Sequence, residues 1–119
     1  MRVPMAFVGL LVAGCVPAMV AQDAAKIEPA HYKVISENAE VRILRVHYGP
    51  HEKSARMHSH PDSVVVALTG GKTMFHLPDG KSEVTEMKAG DAVFTPHTVH
   101  MPENMTDHPM DAIVIELKK

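Results

Sequence analysis

Histidines 58 and 60 are the residues whose type and spacing best suit chemistry. They lie in the sequence His58-Ser59-His60-Pro61, directly before the apolar run at 64–68. On an extended segment, side chains two positions apart point to the same face. Two neutral imidazoles side by side form half of a metal site. His100, in a second strand-rich block, is the candidate for a third ligand.

The segments around these histidines read as short strands separated by turns. Strands are predicted at 31–35, 41–48, 63–68, 72–77, 82–87, 92–95 and 111–117, because these segments are rich in β-branched residues or alternate in polarity. Pro78-Asp79-Gly80-Lys81 predicts a hairpin turn, and Met101-Pro102-Glu103-Asn104 predicts another turn. After Gln22 no helical periodicity is sustained. The pattern predicts an all-β barrel or sandwich.

The two histidine blocks also match a pair of known motifs. The first motif is matched by Gly49, His58, His60 and Gly71, with Gly49 slightly further upstream than the pattern asks. The second is matched by Gly90, Pro96, His100 and Asn104, one residue short between the proline and the histidine. Together they resemble the cupin superfamily, over a stretch from Val41 to Leu117. The chain looks like a small, exported, single-domain bacterial cupin.

The resemblance implies an architecture and a site. It implies a jelly-roll β-barrel in which the two histidine-bearing strands face each other, with His58, His60 and His100 on one divalent metal ion. Cupins of this size commonly form homodimers, and some cupin dioxygenases have an all-histidine site. We therefore expect the barrel to bind or convert a small molecule. Whether the protein is an enzyme stays open, since one fold houses many chemistries.

The expected carboxylate ligand is missing from the first motif. Val64 stands where the family has a metal-binding Glu, and Thr98 stands near the expected glycine of the second motif. Three neutral ligands leave the identity of the metal open among Fe, Zn, Mn, Ni and Cu. Carboxylates that could replace the missing ligand, if their loops fold inward, are Glu52, Asp62 and Glu103.

Two other functions compete with the three-histidine centre. A cluster of soft ligands suits a copper-binding protein, and its members are His100, Met101, Met105, His108 and Met110. Methionine is also an adaptable core residue. In the third alternative the barrel binds a small ligand without metal, and His58 and His60 are hydrogen-bonding groups of its pocket.

The remaining conspicuous polar residues receive simpler interpretations. His97 either lines the mouth of the site or lies on the surface, and Asn104 is expected to hold a turn. His51 belongs to the turn before the histidine pair. The histidines expected to face solvent are His31, His47, His76 and His108.

Composition narrows the classes of function. The formal charge is −2 with 22% charged residues and no basic stripe, which argues against a nucleic-acid-binding protein. The apolar fraction of 45% is that of an ordinary globular chain. The single cysteine, Cys15, rules out an internal disulfide.

The N-terminus reads as a secretion signal. Arg2 precedes an almost wholly apolar segment that is too short for a confident membrane span, and cleavage after Ala21 fits a small-residue rule. Val12-Ala13-Gly14-Cys15 also resembles a lipoprotein signal, in which Cys15 carries a lipid anchor. Residues 1–21 are thus assigned to a signal peptide, 22–40 to a flexible lead-in and first strand, and 41–119 to the barrel. We expect a periplasmic or extracellular location.

Overall fold

The computed structural model describes residues 22–119, which form one short helix and nine strands. Helix α1 spans Ala24–Ile27. The first strands are β1 (Tyr32–Glu37), β2 (Val41–Tyr48), β3 (His58–His60), β4 (Ser63–Ala67) and β5 (Gly71–His76). The others are β6 (Ser82–Met87), β7 (Ala92–Thr95), β8 (Thr98–Asn104) and β9 (Met110–Leu117). The predicted all-β class is confirmed.

The strands form two antiparallel sheets. One has five strands in the order β1-β2-β9-β4-β7, and the other has four in the order β3-β8-β5-β6. The chain crosses repeatedly between the sheets, so neighbours in a sheet are distant in sequence. Strand β9, the last of the chain, pairs with β2 on one side and with β4 on the other.

Alternation along the strands divides each into an inner and an outer face. Leu44, Val46 and Tyr48 of β2 are buried, and Val114 of β9 lies directly across from Leu44. These four residues form one core cluster with Tyr32 and Ala24. The predicted inner face of the second strand is therefore confirmed, and it fixes which side chains of β9 and β4 point between the sheets.

Turn chemistry holds the strands in register where the sequence predicted it. The β5–β6 hairpin turns at Pro78–Lys81, where Gly80 has a φ of 86° and the amide of Leu77 donates to the carbonyl of Lys81. Gly supplies this left-handed conformation at no steric cost. Asn104 holds a second turn as expected, because its amide donates to the carbonyls of Gly49 and His108.

Two local predictions were wrong. The segment Met101–Asn104 is not a turn but the second half of β8, where Pro102 lies across from Phe75. A proline deprives a strand of one N–H donor but leaves its carbonyl free to pair. The carbonyl of Pro102 accepts a hydrogen bond from the Ser54 amide.

The predicted flexible lead-in is instead a capped helical turn, because Asp23 caps α1. Ala24, the first residue of this helix, is fully buried against the sheets. Strand β1, which follows it, is an edge strand of the five-stranded sheet and pairs with β2.

The proposed signal peptide, with Ala21 and the candidate lipid-anchor residue Cys15, lies outside the described residues. Export, the signal peptide and the anchor stay predictions. Within residues 22–119, no helix has the length and apolar character that crossing a membrane requires.

Candidate metal centre

Strand pairing brings the three histidines together. His58 of β3 lies directly across from His100 of β8 in the four-stranded sheet, and His60 lies two residues along β3 on the same face. The ring centroids are 5.0 Å apart for His58 and His60, 5.0 Å for His58 and His100, and 5.5 Å for His60 and His100. One ring nitrogen from each residue lies within 4.8 Å of the others. The three side chains could therefore hold a metal ion.

Burial keeps two of these imidazoles neutral. His58 is fully buried, and loss of solvation, aided by the neighbouring histidines, lowers its pKa to about 2. Loss of solvation also lowers the pKa of His100 to about 3, with a smaller contribution from His60. A neutral imidazole keeps a free lone pair, which is the form that binds a metal.

His60 is oriented by a buried carboxylate that motif reasoning did not find. Glu116 of β9 is 3% exposed, and one of its oxygens accepts a hydrogen bond from Nδ1 of His60 at 2.7 Å. A carboxylate can only accept here, so the proton lies on Nδ1 and the lone pair lies on Nε2. Carboxylate–histidine pairs of this kind fix the tautomer and orientation of metal-binding histidines.

Glu116 is in turn held by an arginine and by the N-terminal segment. Nε of Arg42 donates to Glu116 at 2.8 Å, and the Arg42 guanidinium donates with two nitrogens to the carboxylate of Asp23. The guanidinium holds the pKa of Asp23 below its usual value. A buried carboxylate needs such partners, because burying an unpaired charge is costly.

The positions of Glu116 and Arg42 could have been recognised from the alternation of inward and outward residues along their strands. Arg42 precedes Leu44, Val46 and Tyr48 on the inner face of β2, and Glu116 follows Ala112 and Val114 on the inner face of β9. A charged residue on the apolar face of a strand needs a buried partner. The pair was therefore detectable from alternation, although its connection to His60 depends on the sheet order.

Aromatic rings surround the triad. The ring of Tyr32 lies edge-on to His58 with centroids 4.8 Å apart, and Phe75 stacks on His100 at 4.9 Å. The Tyr32 hydroxyl hydrogen-bonds to the Tyr48 hydroxyl, which hydrogen-bonds to Ser54. Burial raises the pKa of Tyr32, so its phenol stays neutral beside the triad.

A cavity of about 360 Å³ lies between the sheets and ends at the triad. His60 and His100 line it, whereas His58 lies behind them. Glu83 and Thr85 of β6 and Val93 of β7 line its exposed end. Strands β6 and β7 are edge strands of different sheets, so the cavity opens between two strands that are not paired with each other.

No carboxylate replaces the missing family ligand within the described residues. Val64 does not line the cavity, and its neighbours Ser63 and Val65 do. The position facing the site on β4 is therefore occupied by a hydroxyl and an apolar side chain. Only the three histidines form a cluster close enough for metal ligation in the part of the chain that the structure describes.

The carboxylates weighed as substitutes are engaged elsewhere. Glu52 accepts a bond from the Gly49 amide and is half exposed beside His31. Glu103 pairs with His76 at 2.9 Å, and Asp62 binds the amide of His97 and the amine of Lys119. The hypothesis that the Glu52 loop folds inward to supply a metal ligand is therefore wrong. The Glu52 carboxylate instead accepts a hydrogen bond from the Gly49 amide within its own turn.

The other histidines mostly have the surface positions expected of them. His47, His51, His97 and His108 are exposed. His76 is partly buried against Glu103. His31 departs from the expectation, because its ring stacks on Tyr48 at 4.1 Å and Nδ1 donates to the carbonyl of His47, which leaves the side chain only 10% exposed.

The methionines of the copper alternative do not converge on the triad. Met105 and His108 are exposed, and Met101 follows His100 on β8, so the two side chains point to opposite faces. Met110 lines the cavity, and its sulfur accepts a hydrogen bond from Thr73. The geometry favours imidazole over thioether ligation.

The donor set fits a metal ion. Both ring nitrogens of His58 and Nε2 of His100 are buried without a hydrogen-bond partner in the described part of the chain. Unsatisfied buried polar atoms are costly and uncommon in folded proteins. A cation accepting lone pairs from the three rings would satisfy a nitrogen of each.

Comparison with solved structures supports the architecture. A cupin domain from Bordetella pertussis is 26% identical, with a TM-score of 0.68, over 74% of this chain and 92% of its own. A conserved protein with a double-stranded β-helix domain from Klebsiella pneumoniae is 25% identical, with a TM-score of 0.57, over 72% and 74% of the two chains. The polyketide cyclase RemF from Streptomyces resistomycificus shares the fold at 16% identity and a TM-score of 0.55, over 74% and 64%.

No functionally curated protein matches the sequence. The family model described as "Cupin domain" matches residues 44–116, which include both histidine blocks and Glu116. This range is more than half of the chain and contains β3 through β8 complete. The chain belongs to the cupin domain family.

Proposed function

We propose that His58, His60 and His100 bind one divalent metal ion and that the protein binds or converts a small molecule at this ion. The observation that carries the proposal is the triad itself, in which a ring nitrogen of each histidine converges on one point and the buried nitrogens of His58 and Nε2 of His100 have no hydrogen-bond partner in the described residues. When bound, the ion would supply Lewis-acid or redox activation of a ligand that reaches it from the cavity.

The protein's own residues would prepare this site in three ways. Burial holds His58 and His100 neutral, Glu116 turns Nε2 of His60 toward the cavity, and Phe75 fixes the plane of the His100 ring. Such rigid support is what a functional site requires to keep its ligands in place. Three neutral donors leave the full positive charge of a divalent ion available to an oxygen ligand.

Export to the periplasm or cell exterior and assembly as a homodimer belong to the same proposal. They are supported by the leader sequence and by the cupin resemblance, respectively. The copper-binding alternative is disfavoured by the exposure of Met105 and His108, and the metal-free barrel by the partnerless nitrogens of His58.

The first test is metal content. Purified protein dialysed against each candidate metal is expected to bind one ion per chain by elemental analysis, and the His58→Ala/His60→Ala variant is expected to bind none. The control is His47→Ala/His108→Ala, which removes two exposed histidines and should leave the stoichiometry at one. Equal metal content in the wild type and the triad variant would contradict the proposal.

Glu116→Gln tests the support of His60. The amide cannot accept bonds from both His60 and Arg42 as the carboxylate does, so metal affinity is expected to fall about 10–100-fold, with the stoichiometry retained. Isothermal titration calorimetry measures this change. The matched control Glu103→Gln removes the charge of a carboxylate that contacts His76 on the other side of the sheet, and an equal loss of affinity there would refute a specific role for Glu116.

The depressed histidine pKa values predict a pH dependence of the metal-free protein. Unfolded histidines take up protons as the pH falls below 6.5, whereas folded His58 and His100 do not, so stability is present above pH 6.5 and is lost below it. Between pH 6.5 and pH 5, each of these two histidines is expected to lower the free energy of unfolding by about 2 kcal/mol.

Urea unfolding at several pH values measures this loss. His100→Leu removes one titrating group, so its stability should fall less steeply with decreasing pH than that of the wild type. Exposed His108→Leu should follow the wild type. Parallel pH dependences for the wild type and His100→Leu would show that His100 is protonated normally in the folded state.

A further inference from the structure

The charge of the cavity wall restricts what can occupy the proposed site. No lysine or arginine of residues 22–119 lines the cavity. Arg42, on the inner face of β2, donates its hydrogen bonds to Glu116 and Asp23. The acidic residues of the lining are Glu83 and Asp111, and the carboxylate of Asp111 is paired with His47 at 2.9 Å. Away from the proposed metal ion, no side chain on this wall would offset the charge of a phosphate or carboxylate group.

The uncharged part of the wall is mainly apolar. Its middle is formed by Val46, Val65, Phe75, Ala112 and Val114. The hydroxyls of Thr69 and Thr73 are engaged, since the Asp111 amide donates to the first and the second donates to Met110. The volume of about 360 Å³ falls within the usual range of small-ligand sites.

Two imidazoles mark the inner end of the cavity, where His60 and His100 lie beside the flat ring of Phe75. The other polar groups of the lining are uncharged hydroxyls and an amide, or the carboxylates of Glu83 and Asp111. A ligand that fills the apolar part therefore meets imidazole nitrogens, and any metal ion that they hold, only at the triad. Charged groups elsewhere on the ligand would be buried without partners, which is costly.

We propose that the ligand is an uncharged, largely apolar molecule, about the size of a bicyclic aromatic, that enters between β6 and β7. Its one polar end reaches the metal, where the coordination positions that three histidines leave open could take two adjacent oxygens. This inference rests on the proposed metal site for the position of the polar end, whereas the preference for an uncharged body rests on the cavity wall alone.

Isothermal titration calorimetry on the metal-free protein tests whether the cavity wall prefers an uncharged ligand. 2-Naphthol is expected to bind at least about tenfold more tightly than 2-naphthyl phosphate, because the neutral probe leaves no buried negative charge. Equal or tighter binding of the phosphate, or no binding of 2-naphthol at millimolar concentration, would overturn the proposal.

Two variants of β6 localise the effect. Thr85→Arg places a guanidinium on the cavity lining, and binding of 2-naphthyl phosphate is expected to improve at least about tenfold. Val84→Arg places the same group on the opposite face of the strand, where the native side chain is 55% exposed, and should leave binding unchanged. Equal gains in both variants, or no gain in Thr85→Arg, would contradict entry at this mouth.

Titration of the zinc-loaded protein tests whether the polar end of the ligand binds the metal. Zinc is suitable because it has no redox chemistry, so the probe is not oxidised during the titration. 2,3-Dihydroxynaphthalene is expected to bind at least about tenfold more tightly than 2-naphthol with zinc, and equally without it. Loss of this preference in His58→Ala/His60→Ala would place it at the triad. Equal affinities in the loaded protein would refute the polar end. Failure to take up zinc would refute the proposed metal site. The titrations of the metal-free protein would still decide whether the cavity prefers an uncharged ligand.

Discussion

The buried carboxylate of Glu116 is the contact on which the candidate site depends. It lies between Arg42 of β2 and His60 of β3, and therefore joins the two sheets at the triad. Because Arg42 also binds Asp23, the N-terminal turn is connected to the same network. A buried charge is tolerated only with such partners, so the carboxylate constrains both sheets and the rotamer of His60 together.

Main-chain contacts explain how a very short strand can position two candidate ligands. Strand β3 has three residues, and it pairs with β8 through His58 and His100. On its other side the amide of Ser59 donates to the carbonyl of Gln22, so the N-terminal segment covers the edge that would otherwise be free. Strand β3 is thus held by main-chain pairing on both sides, and His60 is also held by Glu116 at the inner face.

The parts predictable from sequence are those that depend on local pattern. Alternation in β2 identified its inner face, the Pro-Asp-Gly turn identified the β5–β6 hairpin, and the two motifs identified the three histidines. Interpretations that needed the sheet order were less successful. Glu116 was read only as part of a final strand, although its partners lie 56 and 74 residues away. His31 was expected in solvent, but β1–β2 pairing lays its ring on Tyr48.

X-ray absorption at the zinc edge of the loaded protein tests the three-histidine centre most directly. Three imidazole nitrogens at about 2.0–2.1 Å are expected in the first shell, with the remaining scattering from light atoms. The His58→Ala/His60→Ala variant should lose this signature. A sulfur scatterer in the wild type would instead assign the ion to a methionine or to Cys15, and a shell with fewer than three imidazoles would contradict a centre formed by His58, His60 and His100.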